Sequence, residues 1–237
     1  MVDERVPLSK TLIDLRIKEL EIEEKARVIS ELKSKRDEAS IKELVEKLAD
    51  DSWHLRQLAA RALSEIGKDV EHHVMEALPG SLWFTRACAA EILGNVRSRA
   101  ALDCLIDLLE DSNSTVKEHA SKALLQICDG GDTVWAARAA VSKGGEVVGR
   151  LKALFEKFDR ELADGFLSMT KDAELMKAPV EQVEKIAEEM SRAHEPQDLV
   201  WEELTKADST KTPVARADDE SAGGGTGGSE DRRDGSL

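Results

Sequence analysis

The chain has 237 residues, with Lys+Arg 34 against Asp+Glu 48 for a formal net charge of −14; 35% of it is charged and only 3% aromatic, with no Tyr. Such a field repels phosphate backbones and attracts basic surfaces, so nucleic acid is excluded as the expected partner. Dense charge mixed with Leu, Ile and Ala suits exposed helices over a narrow apolar seam, and the scarcity of strand-favouring aromatics argues against a β fold.

The first segment, "MVDERVPLSK", lacks a basic flank followed by an apolar stretch, and no apolar run approaches the roughly 18–20 residues of a membrane span. A cytoplasmic protein with a flexible start over 1–9 is expected, with no membrane as partner. Leu8, Leu15, Ile22 and Ile29 then recur every seven residues, with Leu12 and Leu32 beside the stripe. This spacing predicts one long amphipathic helix, or two, over 10–36. The run "KELEIEEK" supplies opposite charges at i, i+4 and supports a solvated helix. Two roles stay open for it: capping the layer that follows, or homodimerisation through a coiled coil. Lys18 and Glu19 interrupt the second seam, which favours capping.

Residues 41–67, 71–97 and 102–128 superimpose column by column, offset by 30 and then 31 positions. One supersecondary unit has been copied, which predicts three stacked helix pairs over 37–130. The first helices share the columns Leu44/Val74/Leu105, Val45/Met75/Ile106 and Leu48/Leu78/Leu109, whose spacing makes one helical face. The second helices share Ala59/Ala89/Ala120, Ala62/Ile92/Ala123, Leu63/Leu93/Leu124 and Ile66/Val96/Ile127. Small Ala lets neighbouring helices approach, and Leu and Ile fill the gaps. No unit buries both its helices alone, so the stack needs atypical helices at its ends.

These columns, with an acid followed six positions later by a base, Asp50 to Arg56 and Asp111 to Lys117, resemble HEAT repeats, in particular the short bacterial HEAT-like repeats of phycobilisome lyase-type proteins. The resemblance covers roughly 41–130. It implies an all-α, right-handed α-solenoid of stacked antiparallel helix pairs, with acids and bases forming a ladder along the stack. Here the ladder is incomplete: Gly80 stands where the middle acid would be, which is expected to free Arg86 for another contact.

Beyond Cys128, "DGGD" and "SKGGE" break the helical pattern and isolate a helix around Val134–Val141. Val147, Val148, Leu151, Leu154, Phe155, Phe158 and Leu162 draw a wide apolar face, and another follows from a helix start at Ala178-Pro179. A last short helix is expected near Asp198–Leu204 with Trp201. Residues 131–205 thus read as a degenerate repeat plus a C-terminal helical cap, and 206–237, rich in Asp, Ser, Thr and Gly, as a disordered tail that tethers or solvates.

Catalytic chemistry finds no foothold in the residue pattern. Iron-dependent deoxyhypusine hydroxylases, which the repeat superficially resembles, use repeated His-Glu dipeptides; here only the reversed Glu118-His119 occurs. His72 and His73 are adjacent, so their imidazoles are expected on different helix faces. Cys88, Cys104 and Cys128 lack the close spacing of disulfide frameworks or zinc ribbons and read as buried thiols. The columns expected to face outward are mixed: Gln57, Arg61 and Ser64; Ala87, Glu91 and Gly94; Glu118, Lys122 and Leu125. That is unlike the basic lining of HEAT-like DNA glycosylases. No metal, cofactor or catalytic residue is therefore assigned.

Trp53 and Trp83 occupy one column, three residues ahead of Arg56 and Arg86, with Ser114 in the third unit and Phe84 beside the second Trp. Aromatic and Arg neighbours are the chemistry of binding hot spots. Two readings stay open for the row: packing over the start of each second helix, or a partner-binding edge of Trp53, Trp83, Phe84 and Arg86. The sequence therefore points to a non-catalytic protein-binding scaffold whose partner carries a basic surface. The alternative is a lyase-like or enzyme-accessory protein that positions a cofactor or modifies a partner protein.

Overall fold

The computed structural model describes residues 10–193, and among them are twelve α-helices and no strand. The expected flexible start over 1–9, the short helix near Asp198–Leu204 and the tail over 206–237 lie outside the described residues.

Helix α1 (Lys10–Lys35) is a single helix. Its second half buries Ile29 and Leu32 and half-buries Ile22, Ala26 and Val28 against α2 and α3, so it caps the first layer. The heptad stripe divides here: Leu15, one repeat earlier, is 53% exposed. The chain turns at Arg36, in the left-handed region, and the Asp37 carboxylate accepts the Ser40 N–H at 2.7 Å to start α2.

Three helix pairs follow: α2 (Glu38–Glu46) with α3 (Trp53–Ile66), α4 (Glu71–Glu76) with α5 (Trp83–Asn95), and α6 (Leu102–Leu108) with α7 (Ser114–Ile127). The first helix of each pair is short and continues into, or starts from, a 3₁₀ turn: Lys47–Ala49, Lys68–Val70 and Arg99–Ala101. The repeated columns form the core. Leu44, Val74 and Leu105, Ala59, Ala89 and Ala120, and Leu63, Leu93 and Leu124 are all fully buried.

Helices α5 and α7 pack tightly. A Cβ on Gly94 would sit 2.7 Å from the Ala123 Cα, so this crossing requires glycine. This overturns part of the outward columns, since Ala87, Gly94 and Leu125 are buried. At Ala87 and Gly94 the reason is position in the stack: α5 lies between α3 and α7 and buries more of its circumference than an end helix does; Leu125 is on α7, which is itself packed against α5, α6 and the turn that follows it. A polar ladder also links the ends of the second helices, with Asn95 donating to Ser64 Oγ at 3.2 Å and Gln126 donating to Asn95 Oδ1 at 3.4 Å.

Between α7 and α8 (Thr133–Lys143) the chain passes through a π turn, Cys128–Asp132. The apolar face read over Val147–Leu162 belongs to two helices, α9 (Gly145–Glu156) and α10 (Arg160–Lys171). The split is local chemistry: the Asp159 carboxylate accepts the Glu161 and Leu162 N–H groups and restarts the helix. Phe155 and Phe166, both fully buried, lock α9 to α10 edge to face at 5.1 Å. After α11 (Ala173–Lys177), helix α12 (Val180–Ala193) starts directly after Pro179 and packs back on the π turn and α8, with a small core of Val134, Ala178, Val183 and Ala187.

Candidate functional site

Trp53 is the first residue of α3 and Trp83 the first of α5, so the repeat places both at the same end of successive second helices. They are 67% and 45% exposed, and Leu82, just before α5, is 56% exposed. Large apolar side chains left this open in register are the unusual feature of the surface. Arg56, one turn along α3 from Trp53, lays its guanidinium over the Phe84 ring at 4.3 Å. Phe84 in turn meets Trp83 edge to face at 5.6 Å. Arg56, Phe84 and Trp83 form one connected run across the α3–α5 junction, with Trp53 at the α3 end.

The charge ladder beside this edge differs from the expected one. Arg86 is not freed: it grips Asp111 of the next layer through Nε at 2.6 Å and Nη2 at 2.9 Å, and its Nη1 donates to the Ser81 carbonyl. Asp50 pairs with Lys25 of α1 at 2.8 Å, while Arg56 donates only to the Asp50 and Asp51 carbonyls, at 2.7 and 3.0 Å. Each acid therefore takes its base from the preceding layer, 25 positions upstream in both pairs. The base six positions downstream is not its partner. By column, Gly80 stands between Asp50 and Asp111 and Arg56 stands between Lys25 and Arg86, so the acid missing at Gly80 is the one for Arg56. Among the described residues Arg56 has no carboxylate partner, and it is the side chain the missing acid leaves open.

The ladder carboxylates are tuned accordingly. The Arg86 guanidinium holds the Asp111 carboxyl below its ordinary value of 3.8. At Asp50 burial pushes upward, and the Lys25 ammonium and the Ser52 N–H together outweigh it and lower the value.

Other chemically capable side chains lie apart from the edge. Burial pushes the Cys88 and Cys104 thiols up to about 11, and Cys128, fully enclosed, is raised as well, so these are inert thiols at neutral pH. His119 is half-buried beside Glu91; burial lowers its pKa despite the carboxylate at 3.7 Å. His72 is exposed and His73 largely buried, as expected of adjacent residues on different helix faces. His72 Nε2 lies 3.2 Å from the Glu76 carboxylate, while His73 Nδ1 stands 3.8 Å from it, too far for a hydrogen bond, because residues three and four positions apart are neighbours on a helix. Among the described residues no three His, Cys, Asp or Glu side chains gather as a metal site, and no helix is long and apolar enough to cross a membrane.

A family comparison places this geometry. Residues 73–143 match the family model for HEAT repeats. The matched HEAT-repeat segment runs from within α4 to the end of α8, so it contains Trp83, Phe84 and the Arg86–Asp111 pair, while Trp53 and Arg56 lie in the preceding pair of the same column pattern. No curated protein matches the chain.

Proposed function

We propose that this HEAT-repeat chain is a non-catalytic scaffold that binds another protein along the edge of Trp53, Leu82, Trp83 and Phe84. HEAT repeats generally mediate protein binding, and the observation that supports this edge is the pair of exposed tryptophans in register at the starts of α3 and α5. An exposed aromatic pair offers large area to desolvate with few torsions to freeze, the property that concentrates binding energy in hot spots. Arg86 serves the edge from behind: its ladder contact to Asp111 fixes α5 against the following layer. The net charge of −14 steers partners with overall positive charge toward the scaffold. Capture from native lysate on the wild-type chain and on Trp53→Ala and Trp83→Ala, quantified by mass spectrometry, tests the proposal. Proteins retained by the wild type and lost from both folded variants support it; an identical captured set from all three refutes it.

A second surface has an observation of its own. Leu15, Ile17 and Leu20, on the half of α1 that precedes its packed stretch, are 53%, 49% and 49% exposed. Between Leu15 and Glu24 the charges divide along the helix: Arg16 and Lys18, then Glu19, Glu21, Glu23 and Glu24. An antiparallel second copy would set each basic stretch against the other's acidic one while covering the apolar side chains. This surface suits homodimerisation.

A further inference from the structure

The missing acid beside Arg56 gives the edge a chemical preference. The ladder repeats as base, then acid of the next layer: Lys25 with Asp50, and Arg86 with Asp111. At the layer between them the base is present and the acid is not. Gly80 stands in the acid's column, its φ is +72° where Asp50 is extended at −63°, and a Cβ built there meets nothing within 4 Å, so a side chain at this position would enter open space. Arg56 remains partly exposed and is anchored through Nη1 to two carbonyls and through its face to Phe84. Its ionic capacity is unused among the described residues. Trp53, one turn before Arg56 on α3, and Leu82 and Trp83, next to the Phe84 that Arg56 covers, are exposed.

We infer that this edge takes a protein segment in which an Asp or Glu side chain lies next to a bulky apolar one, the carboxylate completing the ladder on Arg56 and the apolar group settling against Trp53 and Trp83. The inference rests on the protein-binding reading above and adds the partner's local chemistry. A guanidinium already oriented by two carbonyls and an aromatic face loses little freedom when it takes a carboxylate, and the paired charge–hydrogen-bond geometry discriminates sharply between acid and amide. The overall negative field acts at long range on the partner's net charge. The contact at Arg56 is short-range and selects one side chain.

The test pans a display library of random linear peptides on the whole chain, then measures the affinity of one enriched synthetic peptide for a set of variants. Enriched peptides are expected to carry Asp or Glu beside an aromatic or large aliphatic residue. Replacing that acid by its amide should weaken binding at least tenfold. Gly80→Asp should do the same by supplying the acid internally, while Gly80→Asn, with similar backbone strain at positive φ and no charge, should weaken it less than threefold. Melting curves of the two variants verify that the fold is intact. Enriched peptides without an acid, or equal binding to Gly80→Asp and Gly80→Asn, would overturn the inference. If binding depends on Trp53 and Trp83 but not on the peptide's acid, this inference fails and the binding edge stands. If binding ignores both tryptophans, or no peptide is enriched over an Arg56→Ala, Trp83→Ala control, both fail.

Discussion

Arg86→Ala removes the guanidinium that holds Asp111, and its cost follows from the geometry. The Asp111 side chain is 8% exposed; it loses two charge-assisted bonds, at 2.6 and 2.9 Å, and keeps the Asn113 N–H at 2.9 Å. Orphaning one partner of a fully buried pair costs about 3–5 kcal/mol. Here the truncated side chain opens the site to water from the edge, so about 2–3 kcal/mol is expected, the range of a lost charged hydrogen bond. For a unit of this size that lowers Tm by roughly 4–12 °C. Asp111→Asn should cost less, because Arg86 is already 20% exposed and rehydrates. The double variant should lose less than the sum of the two, with a coupling of about 1–2 kcal/mol. Thermal melts followed by circular dichroism on the four proteins measure this. Acid provides an independent reading. The Asp111 carboxyl is held below 3.8, so the pair's contribution is complete above that value and lost as pH falls through the lower folded value. Arg86→Ala should blunt that acid-induced loss. Additive effects below about 0.5 kcal/mol with an unchanged acid profile would refute the ladder as a structural element.

Three further outcomes are expected. Gly94→Ala should destabilise despite the roughly 1 kcal/mol that alanine gains in helix propensity, because its Cβ would lie 2.7 Å from the Ala123 Cα; overpacking of this kind costs about 1–3 kcal/mol, and a raised Tm would show that α5 and α7 do not touch there. Burial lowers the His119 pKa below 6.5, so stability is complete above that pH and falls as pH drops through the folded value; His119→Gln should flatten this part of a Tm-versus-pH curve, and an unchanged slope would exclude His119 as its source. Replacing Leu15, Ile17 and Leu20 together by Gln should convert a dimer to a monomer in sedimentation equilibrium while leaving Tm extrapolated to infinite dilution unchanged; a wild-type chain that is monomeric at high concentration would eliminate the α1 pairing.

The helical architecture was legible because it is written as a repeated column pattern: Leu44, Leu48, Ala59, Leu63, Ala89, Leu93, Leu105, Ala120 and Leu124 are fully buried members of those columns, whereas Leu55, Ala90 and Ala101 are buried outside them. Polar partnerships were less legible. The missing acid at Gly80 was expected to free Arg86, whereas stacking brings each acid to the base of the previous layer and Arg86 to Asp111. That correction moves the open base from Arg86 to Arg56. The outward columns were misjudged at Ala87, Gly94 and Leu125, because single-helix periodicity does not register that a central helix is covered from two sides. The division of 147–162 was signalled by Asp159, a capping residue three positions ahead of Leu162, but the apolar run masked it. At the candidate edge, alignment identified the Trp53/Trp83 column, and exposure could only come from the fold, since a tryptophan at a helix start packs inward or faces solvent with the same local sequence.

The most direct measurement of the binding edge is the affinity of a partner captured on the wild-type chain for Trp53→Ala and Trp83→Ala, taken with melting curves on the same samples. Each variant should bind at least about thirtyfold more weakly, the loss of a hot-spot aromatic worth roughly 2 kcal/mol. Because the two side chains are 67% and 45% exposed, each replacement should change stability by less than about 1 kcal/mol. Unchanged affinity in folded variants, or a stability loss of about 3–5 kcal/mol typical of a core aromatic, would contradict the binding edge and return both tryptophans to packing.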